Sequence, residues 1–600
     1  MKRLLLFVMI LSLLALSVLG TAAVTRWLED EPKPGLLSFG FSAQQNRSLK
    51  QDVVCEIIGN VIYCPDPSLL GKTLVPTCTV SPGVRALDQF SIDAGSLAVY
   101  IHEDYQVFVI AESGEMTVLQ MHFGPPPEEG TRLLKAEINA ADNLFLEGNL
   151  RAYWQGTTLR FFVSPETNLA RLRLSLKADG KILQNGRELG RKATLDFTQP
   201  VTLEVTSGGR SQTYTLIAEQ VESTLPRLYL PDSENLFKVA KVPEDDFIYG
   251  NILTVGEGMP GLLPNVTMER RGSSSRIMLK RSFNLDLSAP VSLLGMAPSS
   301  KWALRAVAVD KSYMRDRLAR DMAGFFDGLF MVDLQFVDVY YGNNYLGIYQ
   351  LSERMLVEEG RLPAPEVGGY LIESDNRKQI RGFITSLDRM RIMQHIGDDS
   401  VSLADAQIDA RRKINLAEQA LSNGAEIESY YNVPRLVDWY LFQLLTRSAD
   451  TLNGFSMYFY LTADGIIEMG PLWDYDRALG NYGETAKRFL PEDEELSVLA
   501  PLAADLVLLW ENEYFRDKLR ERWRELRELP LSETFNALSE EYARQLAPSA
   551  VYEAQLWAPP HSNRWDNLVG VKDLEESVLY LQLSLAQEMR RLDRDLLGLG

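Results

Sequence analysis

The chain is poor in the residues from which redox and zinc sites are made. Its 600 residues include three cysteines, Cys55, Cys64 and Cys78, all in one early stretch. That is too few for a disulfide-built scaffold and forms no CxxC pair; one bridge in an oxidising compartment would leave one thiol over. The four histidines, His102, His122, His395 and His561, are scattered, with neither HExxH nor HxE, which disfavours a zinc hydrolase. There is no GxSxG elbow and no Walker A loop. Positive charge is also short: 61 Lys and Arg against 81 Asp and Glu leave −20 at neutral pH. So acidic a surface repels phosphate backbones, and no nucleic-acid partner is expected.

One long apolar run is present, at the start. Lys2 and Arg3 precede Leu4 to Leu19, interrupted only by Ser12 and Ser17, and Gly20-Thr21-Ala22-Ala23 supplies small residues suited to a signal peptidase. Residues 1–24 therefore read as a signal peptide or, if uncleaved, an anchor just long enough to span a bilayer. The protein is expected to be extracytoplasmic, secreted or held at the cell surface, with no membrane contact beyond this segment.

Residues 36 to 222 read as strands, short alternating runs such as Val107-Phe108-Val109-Ile110 broken by Gly, Asn, Asp and Pro. Pro125-Pro126-Pro127 divides them into modules over 36–123 and 131–222. The pairs Asn46/Asn143, Leu49/Leu146, Gly59/Gly156 and Gly83/Gly180 share an offset of 97, as two copies of one β-sandwich would. The halves resemble the small immunoglobulin-like modules that precede catalytic domains in bacterial surface proteins, which implies a spacer or adhesive role.

From about 230 to 600 the texture changes. Trp302 to Val309 reads as a strand, and Ser312 to Phe326 as an amphipathic helix. Phe336 to Tyr341 and Tyr345 to Leu351 read as a hairpin. Beyond about 400 helices dominate. The expected fold is multidomain: two all-β sandwich modules followed by an α+β bilobal, protein-kinase-like domain.

The stretch Ser448 to Gly483 carries the chemistry. A helix runs into Ala449-Asp450-Thr451-Leu452-Asn453. The strands Ser456 to Leu461 and Ile466 to Met469 then form a hairpin that ends in Trp473-Asp474-Tyr475-Asp476. Strands of similar length return Asp474 to the side of Asp450 and Asn453. Phosphoryl transfer uses such a set: one Asp for the acceptor hydroxyl, a second Asp with an Asn for Mg²⁺. A plainer reading, polar residues capping turns around a hairpin, stands beside it. The protein-kinase pattern is also incomplete. No His-Arg-Asp or Asp-Phe-Gly occurs, and Asn453 follows Asp450 by three residues rather than five. Upstream, Arg271-Gly272-Ser273-Ser274-Ser275-Arg276 precedes the strand-like Ile277 to Leu287, which carries Lys280, a plausible phosphate cradle.

Together RGSSS, KRSF, VSLLGM (Val291 to Met296), DKSYMRDRLA (Asp310 to Ala319), YYGNNYLGIYQLSE (Tyr340 to Glu353), GGYLIESD (Gly368 to Asp375) and GPLWDYDRALGN (Gly470 to Asn481) resemble the CotH kinase family, atypical kinases named after a spore coat protein. The resemblance implies a reduced kinase fold that binds ATP and Mg²⁺ or Mn²⁺ and phosphorylates Ser or Thr of a protein. By the matched positions Asp450 would be catalytic and Asp474 metal-binding, with Asn453 and Asp476 as further metal residues. Lys280, Arg271, Arg315 and Glu353 would surround the nucleotide. The family's loop commonly reads RGNSS, and Ser273 replaces its Asn. Alternatives stay open for several residues: Arg315 between phosphate and a carboxylate, Glu353 between Lys280 and a structural pair, Asp476 and Asn481 between a second metal and bracing of the loop. Trp473 is expected to pack. An exported protein kinase acting on a surface or coat protein is the leading reading. The alternative is an inactive kinase-like scaffold or adhesin that binds through its β-modules; a hydrolase fits the motif order less well.

Overall fold

The computed structural model describes residues 35–88, 93–96, 98–103, 105–231, 236–237, 247–272, 276, 278–375, 381–424, 427–481, 503–557, 571 and 573–598. The expected export segment and Ser273 to Ser275 lie outside the described residues. No described helix is long and apolar enough to cross a membrane.

The first β unit is a seven-stranded sheet. Its strands run in the order Thr77–Val80, Leu36–Phe41, Val53–Ile58, Val61–Cys64, Met116–Phe123, Gln106–Ala111, Val84–Leu87. Strand Val53–Ile58 gives its first half to Leu36–Phe41 (Phe41↔Val53) and its second half to Val61–Cys64 (Ile58↔Val61), so the sheet turns around a core of Phe39, Ile62, Leu69 and Val107. The second unit closes two sheets on one core. Strands Leu133–Ile138, Leu172–Ala178 and Lys192–Leu195 face Thr158–Val163, Val201–Ser207 and Arg210–Gln220, with Leu174, Phe161, Leu203 and Leu216 between them.

The residues at the offset of 97 do the same work in both units. Asn46 donates to Ser42 O and Val75 O and accepts from Val75 N; Asn143 donates to Asn139 O and Arg173 O and accepts from Arg173 N. Each amide thus ties its own loop to a segment about thirty residues on. Leu49 N–H and Leu146 N–H cap the same turns on Asn46 O and Asn143 O. Gly59 and Gly156 both take the left-handed conformation their tight turns need (φ 57° and 59°). The fourth pair differs, since Gly83 is left-handed and Gly180 is not; a Cβ on Gly180 would meet Gly130 O at 2.1 Å.

The next seven strands close on themselves. Arg227–Leu230, Phe247–Val255, Leu262–Arg270, Phe283–Val291, Ser299–Arg305 and Asn344–Glu353 pair in turn. Leu334–Tyr341 then joins Asn344–Glu353 back to Arg227–Leu230. The barrel holds Ile252, Met268, Leu285, Trp302, Val337 and Leu351. Strand, helix and hairpin follow one another as the patterning indicates, with the helix at Arg315–Met322. Asp310 starts that helix by accepting the backbone N–H of Ser312 and Arg315, both at 3.0 Å. The strand expected over Ile277 to Leu287 begins only at Phe283, so Lys280 precedes it.

The remainder is a five-stranded sheet (Gly382–Ile384, Met390–Ile396, Tyr370–Ser374, Met457–Leu461, Ile467–Met469) packed with helices. The helix Val433–Thr446 sits at the centre, with Leu436, Trp439, Tyr440, Phe442 and Leu445 all buried. A β-rich part and a helical part are therefore distinct, but the β-modules are not beads on a string. Val163 pairs with Asn344, continuing the second unit's sheet into the barrel. The first unit meets the end of the long helix Leu531–Leu556, where Trp557 stacks on Phe108 at 5.8 Å and Gln106 donates to Gln555 O.

Candidate active site

The centre of the site is built from one helix end and one hairpin. Helix Val433–Thr446 stops at Arg447 (φ 48°), and the turn Ala449–Leu452 that follows presents Asp450. The strands Met457–Leu461 and Ile467–Met469 pair as Phe459↔Met469 and Leu461↔Ile467, and the chain returns through Trp473 to Asp476. Oxygens of Asp450, Asp474 and Asp476 consequently lie within 4.8 Å of one another.

This return is held by residues outside the hairpin. Asp474 adopts a left-handed backbone (φ 66°), and its carboxylate accepts from Arg305 Nη2 (3.1 Å) and Ser456 Oγ (3.5 Å). Asp316 accepts the Tyr475 N–H at 2.9 Å and pairs with the same Arg305 at 2.9 Å. Asn481 donates its Nδ2 to Asp476 O and Val309 O and so braces the loop, while its Oδ1 is buried without a hydrogen-bond partner.

The three carboxylates line a cleft of about 730 Å³ together with Glu269, Glu373 and Asp375. Arg270, Arg271, Arg276, Arg305, Arg354 and Arg477 line it too. Trp473 packs against the Val332, Leu371 and Tyr458 cluster as expected and also lines the cleft, its ring 5.5 Å from the Arg271 guanidinium and 5.1 Å from that of Arg305. Burial pushes the Asp450 carboxyl up to about 6; Arg477, bonded to it at 2.9 Å, opposes the rise, and Asp474 and Asp375 add to it. Burial, then Asp474 and Asp316, push Asp476 well above the ordinary carboxylate range. Burial would strip the proton from Arg305, but Asp316, Asp474 and Asp476 outweigh it. Arg271 is pushed down to about 10 by burial and by Arg305.

A divalent cation fits this donor set. Three carboxylates are hard oxygen ligands, and their mutual repulsion is what a cation at that point removes. Asp474 and Asp476 are the residues that would hold it, with Asp450 beside them.

Other expected site residues are placed elsewhere. Lys280 is buried, but it lines a neighbouring apolar cavity of about 320 Å³. Its ammonium donates to Glu553 Oε1 (2.6 Å) and Ile348 O (2.7 Å), so its carboxylate partner is Glu553, not Glu353. Glu353 accepts from Asp333 N (3.0 Å) and lies 3.5 Å from Arg361, a structural pair. Arg315 is fully buried against Asp310 and donates to Ala478 O and Leu479 O, so it anchors the loop after Asp476 instead of meeting a phosphate. Asn453 turns back to Ala449 O at 2.8 Å, capping its own turn. Arg271 does line the cleft.

Reading the sequence missed Arg305, Asp316, Arg477, Asp375 and Glu553. Arg477 and Asp375 lie inside the motifs WDYDR and LIESD, and their charge next to aspartates or apolar runs is a usable signal. Arg305 ends a strand with Leu304 and Ala303, where an arginine in an apolar run needs a partner. For Glu553, 273 residues from Lys280, no local signal exists.

Comparison with known proteins matches the model for "CotH kinase protein" to residues 268–583. No curated protein matches. Among solved structures, a Bacteroides thetaiotaomicron chain assigned by name to the glycoside hydrolases is 13% identical, with a TM-score of 0.14, over 27% of this chain and 52% of its own. A DUF4623 family protein from Bacteroides eggerthii is 9% identical, with a TM-score of 0.13, over 45% and 78%. The chain spans about half the length of the first, and neither informs its fold or function. The family match runs from the barrel strand Leu262–Arg270 to the last helix and covers more than half of the chain, including every carboxylate of the cleft: the chain belongs to the CotH kinase family.

Proposed function

We propose that this protein is an exported, ATP-dependent phosphotransferase that phosphorylates Ser or Thr hydroxyls of a surface or coat protein. In this reading residues 1–24 direct export. The immunoglobulin-like modules of 36–123 and 131–222 hold a surface partner, and 230–600 is the kinase-like catalytic part. The observation that carries it is that one cleft is lined both by the converging carboxylates Asp450, Asp474 and Asp476 and by six arginines. A nucleoside triphosphate with its cation has the complementary charge pattern. The apolar cavity shares Met278, Val307 and Ala308 with the cleft, and its lining suits a nucleobase.

A bound Mg²⁺ or Mn²⁺ would supply charge neutralisation of the phosphates. Asp450 takes the acceptor proton: burial holds its carboxyl nearer neutrality than a free aspartate, which makes it a better base. Arg477 fixes one of its oxygens and orients the other. Arg305 fixes Asp474, and Arg271 with Arg305 and Trp473 offers a flat cationic surface for phosphate oxygens.

A second reading, a kinase-like scaffold, draws on the same ion pairs, since Arg477 and Arg305 already satisfy Asp450 and Asp474. The test is phosphate incorporation from labelled ATP with Mg²⁺ or Mn²⁺ into mixed Ser-rich acceptor proteins, with Asp450→Ala and Asp474→Ala alongside. The full chain is the right material, because the kinase-like part shares a sheet with the second β unit. Label in the wild type and in neither variant supports the kinase. No label, together with no nucleotide-dependent thermal shift, supports the scaffold.

A further inference from the structure

The cysteines lie far from the cleft, and their placement in the first β unit is specific. Strands Val53–Ile58 and Val61–Cys64 are joined by the tight turn Gly59-Asn60 and pair as Ile58↔Val61, Ile57↔Ile62 and Glu56↔Tyr63. The next pair outward in that register is Cys55 and Cys64. Directly opposed residues of an antiparallel pair have Cα atoms about 4.5–5.5 Å apart, inside the span a disulfide bridges. Both side chains point into the same core, at 6% and 0% exposure, and the two thiols hydrogen-bond to each other. Cys78 is placed differently. It sits on Thr77–Val80 opposite Phe39, and Phe39 in turn sits opposite Cys55, so a whole strand separates Cys78 from Cys55. Two strand spacings are about 9.6 Å, beyond disulfide reach. The Cys78 thiol donates instead to Ala94 O at 3.3 Å.

We propose that Cys55 and Cys64 form a cross-strand disulfide that locks the register of this hairpin, and that Cys78 remains the free thiol. The bond is made by thiol–disulfide exchange with a small or protein disulfide. One cysteine thiolate attacks that disulfide, forming a mixed disulfide and releasing one thiol. The second thiolate then displaces the other half. Two S–H bonds are lost and one S–S bond forms in the protein, while the S–S bond of the reagent breaks and the reagent leaves as two thiols carrying the two protons. Both sulfurs are closed off in the folded unit, so exchange takes place while the hairpin has formed and the core has not.

Only the place where this happens rests on the export reading. The bridge itself is tested on the purified full chain, unfolded and refolded in mixtures of reduced and oxidised glutathione, then alkylated in denaturant and mapped by mass spectrometry. The expected result under oxidising mixtures is one alkylated thiol per chain, at Cys78, and a Cys55–Cys64 cross-linked peptide pair. The Cys78→Ser chain, which keeps the proposed pair intact, should then show no alkylated thiol. Three alkylated thiols in the most oxidising mixture, or Cys78 cross-linked to either of the others, overturns the proposal. Alkylation of intact producing cells separates the two questions: a bridge that forms in the mixtures while cells show three reduced thiols overturns the export reading and leaves the bridge standing.

Discussion

Two buried clusters of charge sit on either side of the same five-stranded sheet, and they are built on opposite principles. In one, Arg391 joins Glu418 at 3.3 Å and Asp505 at 3.2 Å. Thr385 and Ser386 hydroxyls and the Leu387 N–H complete the shell of Glu418. Burial works to raise Asp505, yet Arg391 and Arg389 win and hold it below the ordinary carboxylate range. In the other, Asp450, Asp474 and Asp476 crowd together, and Asp450 and Asp476 are raised. The first cluster neutralises itself and serves the fold. In the second, Arg305 and Arg477 each hold one carboxylate, yet Asp450 and Asp476 stay raised, so the cluster is not neutralised where its oxygens converge.

Replacing residues of the two clusters should separate activity from stability. The largest effect belongs to the crowded cluster. Asp474→Ala and Asp450→Ala should each lower phosphate transfer by about a thousandfold or more, the scale on which a catalytic base or a charge-stabilising group is lost. Their melting temperatures should not fall correspondingly. In the neutralised cluster the order inverts. Arg391→Met leaves Glu418 and Asp505 buried without their cation and should destabilise the fold by about 3–5 kcal/mol in urea unfolding, while transfer per folded molecule stays near that of the wild type.

A charge deficit also has a pH signature. The folded pKa of Asp450 is about 6 against an ordinary 3.8, so the folded state holds that proton more tightly. Its contribution is complete below about pH 4 and is lost as pH rises through about 6. Asp450→Asn, which carries no charge to bury, should therefore be more stable than the wild type by about 2 kcal/mol at pH 8, discounted from the full shift because the side chain retains some exposure and loses Arg477. The gap should close by pH 4 and narrow when Mg²⁺ is added to the wild type. A gap that ignores both pH and Mg²⁺ would place Asp450 with the structural charges.

How much of this was legible in the sequence follows from chain distance. Asp450 and Asp474 are joined by a short hairpin, and matched strand lengths alone bring them together. Asn46 and Asn143 stand out because a constant offset links them, and each amide's partner lies within about thirty residues. The pairing of Lys280 with Glu553 spans 273 residues, so local sequence could only leave Glu353 open between Lys280 and the structural pair it proves to make. Closure of the seven-stranded barrel was equally hidden: alternation marks each strand, but not that Asn344–Glu353 pairs on both sides. Arg315 stayed open between a phosphate and a carboxylate because an arginine after a motif aspartate has the same local appearance whether it faces a ligand or, as here, Asp310 and the backbone carbonyls of Ala478 and Leu479.

The smallest effect is the mirror image of Asp450→Asn, made with the same chemical change in the other cluster. Asp505 opens the helix Ala504–Glu511, and its carboxylate meets Arg391 with Arg389 nearby. Its pKa is depressed, so its contribution is present above the ordinary value of 3.8 and is lost as pH falls through the folded value. Asp505→Asn should thus cost about 1–2 kcal/mol at neutral pH, since one charge-assisted hydrogen bond is weakened while Glu418 still faces Arg391. The deficit should shrink only below about pH 4, where wild-type Asp505 also takes up its proton. Mg²⁺ should leave it unchanged at every pH. One substitution, Asp to Asn, would then have opposite signs at pH 8 at two sites of one fold. Equal signs would mean that the two clusters differ in shape but not in the charge they leave unanswered.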